Sequence, residues 1–149
     1  MVDVGEKAAT LRRATAEAAV SLSSEAFRAV RSNRVAKGDV LTVAKIAGIQ
    51  AAKETARLIP LCHPIPLDAI RVDLALAPSK REVRIEAEVS TRGPTGVEME
   101  AMTAAAVAAL TVYDMCKALD RDITIGAVRL VAKSGGRSGT WRRKGARLR

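Results

Sequence analysis

A chain of 149 residues is the length of one domain and is long enough to bury a core. No stretch reaches the apolar length of a membrane-spanning helix, and two cysteines with a single histidine fall short of the roughly four ligands a structural zinc requires. The net charge of +9 is local: no acid follows Asp122, eight cations do, and the first 128 residues hold 17 basic against 16 acidic groups.

The opening residues Met1 to Lys7 lack the pattern of a secretory signal. Cys62 and Cys116 are therefore expected as reduced thiols in a cytoplasmic protein. A first strand is predicted over Thr15 to Leu22, followed by a short helix from Ser24 to Ser32 with Ser23 or Ser24 as its cap. Asp39 to Ile59 is rich in Ala, Val, Ile and Leu and reads as one helix, capped by Asp39 and stopped by Pro60. From Ile70 the period changes to two: Ile70, Val72, Leu74 and Leu76 alternate with polar or small residues. Val83, Ile85, Ala87 and Val89 do the same after Pro78-Ser79-Lys80. This predicts a hairpin with one buried face.

Val97 to Leu119 is Ala-rich without internal Gly or Pro, so a long helix is expected, with Thr95 and Glu98 as a capping box. Ile123 to Lys133 returns to β-branched residues and a last strand. The order strand, helices, two strands, helix, strand implies an α+β fold of the ferredoxin type, an antiparallel sheet with helices packed on one face. Residues 1–139 form the single domain in this reading, and 140–149 (TWRRKGARLR) a frayed basic tail.

Five places could carry chemistry. The only histidine, His63, lies in Leu58-Ile59-Pro60-Leu61-Cys62-His63-Pro64-Ile65-Pro66, where three prolines hold an apolar segment extended. An imidazole there is either a buried group satisfied by a carbonyl or a functional one. On the long helix Asp114 and Lys117 share a face with Val107 and Leu110. They make either a surface ion pair or an acid/base pair whose lysine is brought toward working pH by desolvation. At the other end of that helix, Glu98 and Glu100 flank Met99 where the helix dipole favours negative charge. Lys133-Ser134-Gly135-Gly136-Arg137-Ser138-Gly139 reads as an oxyanion-binding loop or a flexible linker, and Lys37 precedes a helix start that would welcome an anion. Glu100 and Asp114 are roughly 21 Å apart along the axis at 1.5 Å per residue. If both are functional, a site shared between subunits is expected.

Taken together, KGDVLTVAKIAGIQAAKETARLIPLCHPIPL, TGVEMEAMTAAAVAALTVYDMCKAL and VRLVAKSGGRSG closely resemble the MoaC family of cyclic pyranopterin monophosphate synthases. The resemblance runs from Met1 to Gly139, and the arginine-rich stretch beyond lies outside the pattern. It implies a ferredoxin-like fold assembled as a homohexamer, a trimer of dimers. The implied activity is that of a lyase of molybdenum cofactor biosynthesis, converting 3′,8-cyclo-7,8-dihydro-GTP to cyclic pyranopterin monophosphate and expelling pyrophosphate. By the same resemblance Asp114, Lys117 and Lys37 are catalytic. Leu61, Cys62, His63, Met99 and Glu100 hold the substrate, and Glu98 and Lys133 match further motif positions. No metal site or resident cofactor is expected, magnesium being admitted only as a companion of the triphosphate. The partner is a small nucleotide-derived molecule, with no membrane and no nucleic acid. The competing reading, a nucleic-acid-binding module on a ferredoxin-like sheet, would need aromatic side chains for stacking. The chain has only Phe27, Tyr113 and Trp141, none of them in a predicted strand. A thiol enzyme using Cys62 and His63 is disfavoured because neighbours in an extended segment point to opposite faces.

Overall fold

The computed structural model describes residues 1–145; the rest of the expected tail, 146–149, lies outside the described residues. Its elements in chain order are β1 (Thr10–Ser21), α1 (Ser24–Arg31), α2 (Val40–Lys53), α3 (Thr55–Leu58), β2 (Ala69–Ala77), β3 (Glu82–Gly93), α4 (Glu98–Cys116), β4 (Thr124–Ser134) and β5 (Trp141–Arg142). The strands form one antiparallel sheet in the order β2-β3-β1-β4-β5, which is the ferredoxin-like arrangement with one short edge strand added.

Period-two patterning explains which side of the sheet is covered. Ala14, Ala16, Ala18 and Val20 of β1 and Val83, Ile85, Ala87 and Val89 of β3 are buried in the core with the alanines of α4. The opposite face carries charge pairs: Arg129 Nε lies 2.6 Å from Glu17 Oε1, and Arg71 Nε lies 3.4 Å from Asp73 Oδ2. So the helices occupy one face, as the pattern predicts. Among the described residues no helix is long and apolar enough to cross a membrane.

The boundaries depart from the sequence reading in four places. β1 starts five residues earlier than expected, because Arg12 ties its beginning to the end of β3: Nε and Nη2 donate to the carbonyls of Gly93 and Pro94 at 2.9 Å each. The helix expected over Asp39 to Ile59 is two. Asp39 caps it as expected, accepting from Thr42 N at 3.0 Å, but Glu54 N turns to both Gln50 O and Ala51 O, and the buried Thr55 hydroxyl donates to Ala51 O at 3.1 Å. These competing bonds close α2 at Lys53 before Pro60 is reached. The Thr95/Glu98 capping box does not form. Val97 is the cap residue, and Glu98 instead accepts from Lys133 Nζ at 2.8 Å. Finally, Trp141 and Arg142 of the expected frayed tail pair with Lys133 and Ala132, so an aromatic residue does stand in a strand.

Gly48 sets the distance between the two main helices. A Cβ there would sit 2.9 Å from the carbonyl oxygen of Ala104 and 3.3 Å from the Ala108 Cβ, so only glycine admits this approach of α2 to α4. The pair runs antiparallel: Lys37, just before α2, meets Asp114 near the end of α4, while Ala52 and Lys53 line a cleft with Glu100 at its start.

Candidate active site

At the C-terminal end of α4 three charged side chains converge. Lys37 Nζ donates to Asp114 Oδ2 at 2.6 Å and to the Asp114 carbonyl at 2.9 Å, and Lys117 Nζ lies 2.7 Å from Asp114 Oδ1. The sequence reading gave Lys117 as the neighbour of Asp114 by helical spacing. Lys37 was nominated too, but its meeting with Asp114 across 77 positions was not foreseen. The antiparallel packing of α2 and α4 supplies it.

The electrostatics correct one expectation. Hydrogen bonds from Lys117 and then Lys37 hold the Asp114 carboxyl at about 2, and the Asp114 hydrogen bond raises Lys117 above its ordinary value. Desolvation therefore does not bring Lys117 down toward neutrality. The three side chains are about half exposed, and their mutual charge outweighs the small loss of water. The cluster is a pre-formed carboxylate gripped by two ammonium groups, open to solvent and able to receive an anion on its lysines.

The other end of α4 differs in kind. A cleft of about 350 Å³ is lined by Lys53, Arg57, His63, Pro64, Pro66 and Glu100, among others. Glu100 is only 4% exposed, and burial raises its carboxyl above the ordinary value, the nearby Glu98 adding to the rise. Half-buried His63 is thus brought to a cleft rather than sealed in the core. The turn that delivers it is closed by Cys62 N bonding to Ile59 O at 3.1 Å, with Ile59 extended before Pro60. Cys62 sits close enough to Glu100 to feel it: its thiol is raised first by burial and then by that carboxylate. Neither thiol is activated, since burial pushes Cys116 up to about 11.

Leu61 and Met99, expected at the substrate, are 72% and 37% exposed, so both are available to a ligand or a neighbour. Glu98 and Lys133 form a part-buried pair beside the start of α4. Lys53 and Arg57, which were not among the nominated residues, line the cleft with His63 from the end of α2 and from α3. The glycines of the 133–139 loop are partly explained by packing: at Gly135, φ +95°, a Cβ would collide with the Leu11 carbonyl, and at Gly136, φ +71°, with the Arg12 guanidinium.

The described residues thus bring the nominated groups into two clusters, Lys37–Asp114–Lys117 at one end of α4 and His63–Glu100 at the other, with Cys62 near the second. A larger concavity of about 1020 Å³ on the open sheet face is lined by Glu17, Arg71, Asp73, Arg84 and Arg129, among others. It contains none of the nominated residues.

The MoaC family model matches residues 1–136. Over 144 residues the chain is 59% identical to the cyclic pyranopterin monophosphate synthase of Thermomicrobium roseum, covering 97% of this chain and 87% of that protein. The protein of the same name from Pelotomaculum thermopropionicum is 56% identical over 145 residues, covering 97% of this chain and 85% of its own. A ferredoxin-like sheet, the LCH, VEME and YDMCK segments around one helix pair, and matches of this extent agree: the chain belongs to the MoaC family.

Proposed function

We propose that this protein is a cyclic pyranopterin monophosphate synthase. In this reading it converts 3′,8-cyclo-7,8-dihydro-GTP into cyclic pyranopterin monophosphate with release of pyrophosphate, as a cytoplasmic lyase of molybdenum cofactor biosynthesis. The observation that carries the reading is the Lys37–Asp114–Lys117 cluster in a chain 59% identical to a protein of that name. Rearranging a purine into a pyranopterin needs repeated proton transfers, and closing a cyclic phosphate needs cations around the departing pyrophosphate. Asp114 orients two ammonium groups that can donate protons and hold phosphate oxygens. Lys133, Arg137, Lys7 and Arg12 are further cations for the triphosphate. His63 and Glu100 suit the base-derived ring, since a carboxylate accepts from its N–H edge and a protonated carboxyl can also donate. The reading needs no resident cofactor, and magnesium would arrive only with the triphosphate.

The same reading makes the site a shared one, within a homohexamer built as a trimer of dimers. The two clusters stand roughly 21 Å apart along α4 at 1.5 Å per residue, beyond the reach of one small reacting centre. Val43, Ile46 and Leu110 on the helices are 42%, 55% and 57% exposed, which favours coverage by another copy. A nucleic-acid role is less well supported, because the open sheet face pairs its charges internally and the one strand aromatic, Trp141, lies on a two-residue edge strand.

The test is pyrophosphate release from the cyclised nucleotide with formation of the pterin product. A folded protein without either would overturn the assignment. Subunit sharing is tested by mixing inactive Asp114→Ala and His63→Ala proteins under exchange. Roughly half of the dimers become mixed and each regains one of two sites, so activity should recover to about a quarter of wild type. No recovery with exchange verified would place both clusters in one chain's pocket.

A further inference from the structure

We propose that Trp141–Arg143 form a positioning arm that locks the end of β4 and so presents Lys133 at the start of α4, where it meets the anionic part of the substrate. The inference rests on the synthase reading and concerns a segment that begins after the family match ends at residue 136.

β4 pairs with β1 along its length, but the ladder is interrupted by two register shifts before Lys133, between Thr15/Ala16 and Glu17/Ala19, and Ala127 within it takes φ +52°. After Ser134 come Gly135 and Gly136 at positive φ, so the strand ends one residue beyond Lys133. Left as an edge, this end of the strand would fray.

The arm closes it from the outer side over four consecutive residues. Trp141 and Arg142 pair with Lys133 and Ala132, Arg143 N donates to Val131 O at 2.8 Å, and Arg143 Nε donates to Leu130 O at 2.8 Å. The guanidinium carbon of Arg143 lies 5.8 Å from the Trp141 ring centroid, a cation–π contact that fixes the side chain making the last bond. Lys133 is thereby held between Ala14 on one side and Trp141 on the other. Its amine reaches Glu98 at 2.8 Å, in a pair only about 30% exposed. Such a contact tolerates little drift of the backbone beneath it. Arg143 and Trp141 touch no reacting group in this scheme; they act through Lys133.

The test uses the full chain. Arg143→Pro removes both the N–H to Val131 and the guanidinium to Leu130, whereas Arg143→Ala removes only the second. Expected for Arg143→Pro is a KM raised about tenfold with kcat within about twofold, and for Arg143→Ala about threefold in KM. In a Lys133→Ala background Arg143→Pro should add less than about twofold, since the residue it positions is gone. Losses that multiply, or an unchanged KM in Arg143→Pro, overturn the proposal. A readout free of substrate separates this from failure of the synthase reading: acylation of the Lys133 amine, followed by mass spectrometry. It should quicken in Arg143→Pro and Arg143→Ala at temperatures where both remain folded. Unchanged labelling in the variants overturns the arm whatever the enzyme's activity, and faster labelling in the variants of a chain that is inactive even as wild type would leave the arm standing and remove the synthase.

Discussion

The two ends of α4 put carboxylates in opposite situations. Asp114 is exposed and gripped by Lys117 and Lys37, which hold its carboxyl at about 2. Glu100 is buried at the other end, and its carboxyl is raised. Both are acids on one helix, yet one is fixed as an anion and the other is biased toward its neutral form. The lesson is that burial decides where no cation bonds the carboxylate, and two lysines bonded to it in water outweigh what little desolvation an exposed site imposes. A protein that must both take and give protons gains from having its acids pushed apart in this way.

The largest expected effect of breaking this contrast comes from Asp114→Asn. The change keeps the shape, removes the charge that aligns Lys37 and Lys117, and should lower kcat about 10²- to 10⁴-fold in the pyrophosphate assay. Stability at neutral pH should move little, because the group lies on the surface. In acid the sign is fixed: a carboxyl lowered from 3.8 contributes stability that is present above that pH and lost as pH falls toward about 2. Whatever stability difference separates wild type from variant should therefore close in acid unfolding as pH falls to about 2. Activity retained in Asp114→Asn would reduce the cluster to an ordinary surface ion pair.

A change midway between the two ends asks whether they are held in register by packing. Gly48→Ala places a methyl against the Ala104 carbonyl at 2.9 Å, backbone that cannot step aside like a side chain. Forcing α2 away from α4 should cost about 1–3 kcal/mol in urea unfolding. It should also lower turnover, since Lys37 and Lys53 ride on opposite ends of the helix that moves. An unchanged urea midpoint would show that the helices can separate without cost.

How much of this was legible in the sequence follows from the range of each signal. The strand hairpin and α4 rest on periodicity and composition, which are local, and they appear close to where they were expected. The end of α2 did not, because Thr55 bonding back to Ala51 competes with helix continuation and leaves no mark that a proline would. The capping box failed for a long-range reason: Glu98 finds Lys133, a cation 35 positions away. The site was legible residue by residue, through its resemblance to a known pattern, but its grouping was not. Nothing in the spacing joins Lys37 to Asp114, nor Lys53 and Arg57 to His63, until α2 and α4 pack antiparallel. Trp141 was missed because a two-residue strand has no period, and only the unpaired edge of β4 gives it a reason to order.

The smallest expected effect, and the finest probe of the contrast, is the pH dependence carried by Glu100. Its folded-state carboxyl is raised from 4.5, so in the window above that value the unfolded chain releases its proton first while the folded protein keeps it. Stability contributed through this group therefore falls as pH climbs through the window and is flat below and above it, the reverse of Asp114. Glu100→Gln removes the titration and keeps the volume. Urea midpoints measured from pH 4 to pH 8 should then favour the variant increasingly as pH rises, with the gap levelling off once wild-type Glu100 has ionised. The alternative outcome is equally definite. If Glu100→Gln is the less stable protein and its deficit grows with pH, the carboxylate has a cationic partner in the cleft, and Lys53 and Arg57 on its wall are the candidates. The two ends of α4 would then be two versions of one arrangement, a carboxylate held by lysine or arginine, and the division between a fixed anion and a neutral acid would be lost.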